Sequence, residues 1–183
     1  MKFTLILKHL ICLLLPFGFA LFSSCSQQTE STINSPLPIN FSLGEFGDEL
    51  VDSQEKPVDV STIEKKFLGI YFSAYWCPPC RAFTPKLIDF RNQNKENFEV
   101  VFVSSDGSKE EQFQYIKEAQ MPWLTLPQDS TKTIELSEKF EVEGIPTLII
   151  ISPDGKTLTK NGRADVMQNP NSAISTWKKV SDG

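Results

Sequence analysis

The stretch Phe67-Leu68-Gly69-Ile70-Tyr71-Phe72-Ser73-Ala74-Tyr75-Trp76-Cys77-Pro78-Pro79-Cys80 decides how this chain folds. It opens on a nearly continuous apolar run of β-prone residues, Phe67 to Phe72, the pattern of a strand covered on both faces. Phe98 to Val103 and Thr147 to Ile151 repeat that pattern, so central strands are expected at all of these places. Beyond the cysteines, Phe83, Leu87 and Phe90 fall at i, i+4 and i+7 and mark the buried stripe of a helix from about Pro78 to Asn92, which Pro85 is expected to kink.

Working outward, helices are predicted over Ser108–Ala119 with Phe113 and Ile116 inward, over Thr131–Phe140 with Ile134, Leu136 and Phe140 apolar, and over Ser172–Val180. Pro153-Asp154-Gly155 makes a turn after the Thr147–Ile151 strand. On the N-terminal side, Glu49–Asp52 and Pro57–Val60 flank a polar segment and suggest a small hairpin, and Ser61 with Glu64 has capping-box spacing. The order βαβα, then a hairpin and a last helix, implies an α/β domain with a central mixed β-sheet flanked by helices on both faces.

Cys77 is placed at the entrance of the helix and Cys80 one turn inside it. Cysteines so spaced can bring their sulfurs together as a short-loop disulfide, while the Cys80 backbone N–H and the positive helix end favour a thiolate on Cys77. Cys77 is therefore expected to be the exposed attacking thiol and Cys80 the one that resolves the mixed disulfide. Pro78 and Pro79 fit the first helical positions because they have no N–H to lose there, but they also remove donors that could serve a thiolate. Three plainer readings compete. A structural zinc site needs four ligands that one CxxC cannot supply without carboxylates, haem attachment needs a His where Arg81 stands, and a purely structural disulfide closing so short a loop constrains the unfolded chain little.

The 183 residues are 40% hydrophobic and 22% charged, enough to bury a globular core. The net charge of −5, without a basic run longer than a pair, argues against nucleic acid as a partner. The only histidine is His9, in an N-terminal segment that reads as removable. Without it, Ser-His-Asp and Cys-His catalysis and His-rich zinc sites are excluded, and no metal and no cofactor is expected.

Residues 1–24 carry Lys2 and Lys8 at the start and then a charge-free apolar run from Leu10 to Phe22, the layout of an export signal. The sequence Leu21-Phe22-Ser23-Ser24-Cys25 resembles the lipobox of bacterial lipoproteins, although Phe22 departs from the usual Leu, and that resemblance implies lipidation at Cys25. Residues 25–40 are polar and proline-bearing and read as a flexible tether, leaving residues 41–183 as the folded domain. Cys12, in the apolar run, receives no role. This reading expects an extracytoplasmic protein on the periplasmic side, lipid-anchored to a bacterial membrane.

From Tyr71 to Leu87 the chain resembles the thioredoxin superfamily, and within it the tryparedoxin and nucleoredoxin group. Phe98–Asp106, Met121-Pro122-Trp123, Gly144-Ile145-Pro146-Thr147-Leu148, Asp154-Gly155 and Gly162-Arg163 extend the likeness over roughly residues 45–168. The resemblance implies a thioredoxin-like fold. It also implies that Pro146 is the cis-proline facing the disulfide, that Ile145 before it offers backbone bonds to an extended substrate, and that Trp76 covers the disulfide on the substrate-facing surface. Without it, Gly-Ile-Pro-Thr is any strand-entrance turn and Trp76 an aromatic filling the core. Thioredoxin has a buried carboxylate where this chain has Tyr71, so proton transfer to Cys80 must use Tyr71 or water, unless Tyr71 is simply a strand residue. Asp106 and Arg163 match positions near the active face but read most simply as solvated loop charges.

The function expected is thiol:disulfide exchange on extracytoplasmic protein clients, in the reducing direction. Its partners are disulfide-bearing proteins and a membrane thiol protein that donates electrons, and the chain is expected to be a monomer. Two rivals stand beside it: a tethered redox-sensing or binding module without turnover, and a thiol-dependent peroxide-reducing enzyme, against which Ala74-Tyr75-Trp76 argues because it lacks the upstream Pro and Thr/Ser of peroxidatic sites.

Overall fold

A computed structural model describes residues 39–183. Its strands are β1 (Phe67–Ser73), β2 (Phe98–Ser104), β3 (Leu124–Thr125), β4 (Thr147–Ile151) and β5 (Thr157–Thr159). They form one sheet in the order β3-β2-β1-β4-β5. β1 runs parallel to β2, and β2 to β3, whereas β4 is antiparallel to β1 and β5 to β4. The helices are α1 (Pro78–Gln93), α2 (Lys109–Ala119), α3 (Thr131–Lys139), α4 (Gly162–Gln168) and α5 (Ala173–Ser181). The expected mixed sheet between helices is the one observed.

The alternation of side chains along each strand divides the core in two. Phe67 and Tyr71 of β1, with Phe98, Val100 and Phe102 of β2, face a layer built by α1, α2, α4 and α5. Leu68, Ile70 and Phe72, with Val101 and Val103, face the other way, onto Leu136 of α3 and the N-terminal segment carrying Phe46 and Ile63. Every residue of β1 and β2 is buried, which is why these strands read as unbroken apolar runs. The one charged residue among them, Glu99, receives Arg91 Nε at 2.8 Å and Nη2 at 2.5 Å.

Several local features differ from the sequence reading. The short turn at Val60–Ile63 is capped by Asp59, whose carboxylate accepts from Ser61 N–H, so Ser61 is not its cap. The reciprocal capping box lies instead at Ser42 and Glu45. The expected hairpin is reduced to a single bridge, Val51 to Pro57. α1 runs through Pro85 to Gln93. β3 and α4 were not anticipated: β3 has only two residues, and α4 starts at Gly162 with no side-chain cap to announce it. The N-terminal segment also reaches both sides of the sheet, Asn40 bridging Lys156 beside β5 and Val51 bridging Thr125 of β3.

Gly69, at the centre of β1, leaves the space that the Phe98 ring occupies. A Cβ there would lie 2.8 Å from Phe98 Cζ and 3.0 Å from Leu148 Cδ1. The Phe98 ring is held in turn by Phe90 and Trp177 at centroid distances of 5.2 and 5.4 Å. Gly69→Ala is expected to lower stability by about 1–3 kcal/mol, as overpacking does. Denaturant unfolding should show a lower midpoint at an unchanged slope, and a midpoint equal to that of the parent would contradict this packing.

Candidate functional site

β1 ends at Ser73 and α1 begins at Pro78, so the connection between them is short and carries Trp76 and Cys77 at its end. Cys77 has extended backbone angles and is the N-cap of α1. A helix leaves its first four N–H groups without intrahelical partners. Here Cys77 N–H donates to Ala74 O at 3.2 Å, Pro78 and Pro79 have no N–H, and Cys80 N–H donates to Cys77 Sγ at 3.3 Å. The first intrahelical bond, Arg81 N–H to Cys77 O at 3.1 Å, follows at once. The prolines thus reduce the donors at the helix entrance to one, and that one is directed at sulfur.

Cys77 and Cys80 are joined as a disulfide. Cys77 is only 3% exposed and Cys80 is fully buried, so the expectation of an exposed Cys77 is corrected for the oxidised protein. The cause is the segment before β4: Ile145 packs against Ala74, Cys77 and Cys80, and its carbonyl oxygen lies 3.9 Å from Cys77 Sγ. The Ile145–Pro146 peptide bond is cis. Trp76, by contrast, is 62% exposed and stands in solvent, with its indole N–H donating to Ser105 O at 3.2 Å. It is not a core filler. Beside Ile145 and Pro146 runs an open groove of about 400 Å³ whose charged lining is Glu141, Glu143, Lys160 and Arg163. The Arg163 guanidinium also sits over the Phe83 ring at 6.0 Å; the residue is exposed, as expected of a solvated charge, but it stands in the first turn of α4 and not in a loop.

Beneath the disulfide lies a cluster of hydroxyls, of which only Tyr71 was expected near the site. Tyr71 OH is 2.8 Å from Thr84 Oγ1, Thr84 Oγ1 is 2.6 Å from Tyr115 OH and donates to Cys80 O at 3.1 Å, and Tyr71 OH reaches the same carbonyl at 3.4 Å. Burial, then the neighbouring Tyr115, pushes the Tyr71 phenol far above its ordinary range, so it stays protonated. Tyr71 therefore bonds the backbone of Cys80 as a neutral hydroxyl. Thr84 lies one turn beyond Cys80 on α1, and Tyr115 lies on the buried side of α2; only their spacing from the cysteines and from the apolar stripe could have pointed to them.

Asp106 is the second correction. It is 5% exposed, not a solvated charge. One carboxylate oxygen accepts from Tyr75 N–H at 2.7 Å, and the other accepts from the Ser104 hydroxyl at 2.8 Å. Burial pushes its carboxyl above the usual carboxylate range, partly offset by these two bonds. A carboxylate two residues past a fully buried strand, with a serine at the strand end, was the available signal.

A thioredoxin-like family model matches residues 65–157. Nucleoredoxin of Danio rerio is 37% identical over 132 residues, which is 70% of this chain and 31% of that protein. The chain therefore spans about a third of the length of the nucleoredoxins it matches. Tryparedoxin of Trypanosoma brucei brucei is 40% identical over 129 residues, 68% of this chain and 88% of that protein. Among solved structures, tryparedoxin II of C. fasciculata superposes with a TM-score of 0.66 at 38% identity, covering 71% of this chain and 90% of that one.

These relatives correct the expected location. Nucleoredoxins and tryparedoxin are soluble proteins of the cytoplasm or nucleus, and they give no support to a periplasmic place or a lipid anchor. The inference rested on a short apolar run and a lipobox-like sequence with Phe22 off pattern, against a likeness extending through the folded domain. Residues 1–24 and Cys25 lie outside the described residues. With a family model covering half its length and a tryparedoxin matched over most of that protein, the chain belongs to the thioredoxin-like oxidoreductase family, on its tryparedoxin and nucleoredoxin side.

Proposed function

We propose that this chain reduces disulfide-bearing proteins, with Cys77 as the attacking thiol and Cys80 as the resolving one. The observation that carries this reading is the Cys77 sulfur at the N-cap of α1, where it accepts the single free amide of the helix entrance, Cys80 N–H. That bond and the positive end of α1 favour the thiolate over the thiol once the pair is reduced. The Cys77 thiolate attacks one sulfur of a client disulfide, and the other client sulfur leaves as a thiolate. Cys80 then gives up its proton and attacks Cys77 Sγ, which releases the second client thiol and closes Cys77–Cys80. The client gains two electrons, and a dithiol donor restores the pair.

Trp76 and the groove beside Ile145 and Pro146 supply the docking surface for an extended client segment, the Ile145 backbone offering hydrogen bonds to it. Pro78 and Pro79 set how many amides reach the sulfur. Tyr71 acts through the Cys80 backbone, not at the sulfur, because its hydroxyl bonds the Cys80 carbonyl and Thr84. The membrane electron donor followed from the expected location and is not retained. A small thiol carrier is sufficient for the chemistry.

Cys80→Ser is expected to accumulate mixed disulfides between Cys77 and its clients, visible as reducible adducts on non-reducing gels and absent from Cys77→Ser. Clients held noncovalently by both variants would sink the turnover reading in favour of a binding module. The equilibrium potential of Cys77–Cys80 in glutathione buffers should fall at about −270 to −200 mV, the range of thioredoxin and glutaredoxins. A value near about −120 mV would mean an oxidant, and the direction proposed here would be reversed.

A further inference from the structure

We propose that Asp106 is the positioning residue of the client-facing loop: its buried carboxylate fixes the backbone at Tyr75 and so sets where Trp76 stands beside the disulfide. The inference rests on the reading of Trp76 as a client contact. Asp106 comes near neither sulfur in any bond it makes, so it acts through the loop.

The geometry is that of one strand end holding another. Ser105 N–H donates to Ser73 O at 2.9 Å, Asp106 Oδ1 accepts from Tyr75 N–H at 2.7 Å, and Ser105 O accepts from the Trp76 indole at 3.2 Å. The connection from β1 to α1 is thus suspended from Ser105 and Asp106 at the residues just before the cysteines. The bracket is itself braced. Ser104 Oγ donates to Asp106 Oδ2 and accepts from Asp106 N–H at 3.0 Å, and Gln128 Nε2 donates to Asp106 O at 3.0 Å.

Removing a carboxylate from water is costly unless its oxygens are bonded, and a nearby like charge, Glu111, adds to the cost here. An aspartate held under that penalty, with one oxygen spent on a backbone amide 31 residues away in sequence, is suited to fixing a position. The fully polar environment of a solvated loop would need none of this. Trp76 has little packing to locate it, being 62% exposed, so its place depends on its bond to Ser105 O and on the backbone next to it.

The test uses the full chain, insulin as the disulfide-bearing protein and dithiothreitol as the electron donor, in a double-mutant cycle of Asp106→Ala and Trp76→Ala. Asp106→Ala is expected to lower kcat/KM about tenfold, mostly through KM, the scale of losing a hydrogen bond to a charged group. In the Trp76→Ala background the same change should cost less than about twofold, because its effect runs through that indole. Asp106→Asn, whose amide oxygen can still accept from Tyr75, should recover most of the loss. Exchange of the Tyr75 amide hydrogen should accelerate at least about tenfold in Asp106→Ala and stay near the parent rate in Asp106→Asn. Equal losses in both backgrounds, a loss confined to kcat, or an unchanged Tyr75 amide would overturn the proposal. Should the parent chain fail to reduce insulin, the reductase reading falls, while the amide exchange still decides whether Asp106 holds the loop.

Discussion

The structure depends on one substitution of atom type at a helix entrance. Where a helix ordinarily places a side-chain oxygen to receive its first free amides, α1 places the sulfur of Cys77. Proline at the next two positions removes competing donors, and the carbonyl of Ala74 takes the Cys77 amide. The remaining donor, Cys80 N–H, therefore points at the sulfur whether or not a partner is near. Because the cap belongs to the helix and the helix to the core through Phe83, Leu87 and Phe90, the sulfur is located by the fold itself.

The sheet topology then brings the other parts to the same rim. β1 and β2 are parallel, so their C-terminal ends lie together, and Ser105 and Asp106 meet the Tyr75–Trp76 connection there. β4 is antiparallel to β1, so it is the segment leading into it, Ile145 and Pro146, that arrives beside the disulfide. Three chain segments far apart in sequence thus converge on a pair of sulfurs with no long loop among them. The groove lined by Phe41, Lys65, Ile151 and Asp154, at the far ends of β1 and β4, touches neither cysteine.

What the sequence made legible follows the same physics. β1, β2 and β4 announce themselves because both of their faces are buried, and α1 because its stripe and its cysteines agree on where it starts. β3, with two residues, carries no period to read, and α4 lacks a capping side chain and opens on a glycine pressed against Ile150. Asp106 was misread because charge in a loop suggests solvent, and only the fold shows an amide waiting for it. The exposure expected of Cys77 ignored Ile145, which is distant in sequence and adjacent in space. The location was argued from residues 1–25, which lie outside the described residues, and the relatives of the domain overturned it.

The two bridges made by the N-terminal segment have a further consequence. A five-stranded open sheet has two outer strands whose unpaired amides and carbonyls invite another chain to add itself. Here Ile39 and Asn40 lie along β5, with Thr157 N–H donating to Ile39 O, and Val51 exchanges both of its backbone bonds with Thr125 of β3. A segment of about a dozen residues, unremarkable in its own secondary structure, therefore guards both margins of the sheet against edge-to-edge polymerisation. On the proposed function, a site that takes an extended client segment beside Ile145 and Pro146 gains from margins that are already taken, because the segment is not drawn to the sheet edges instead.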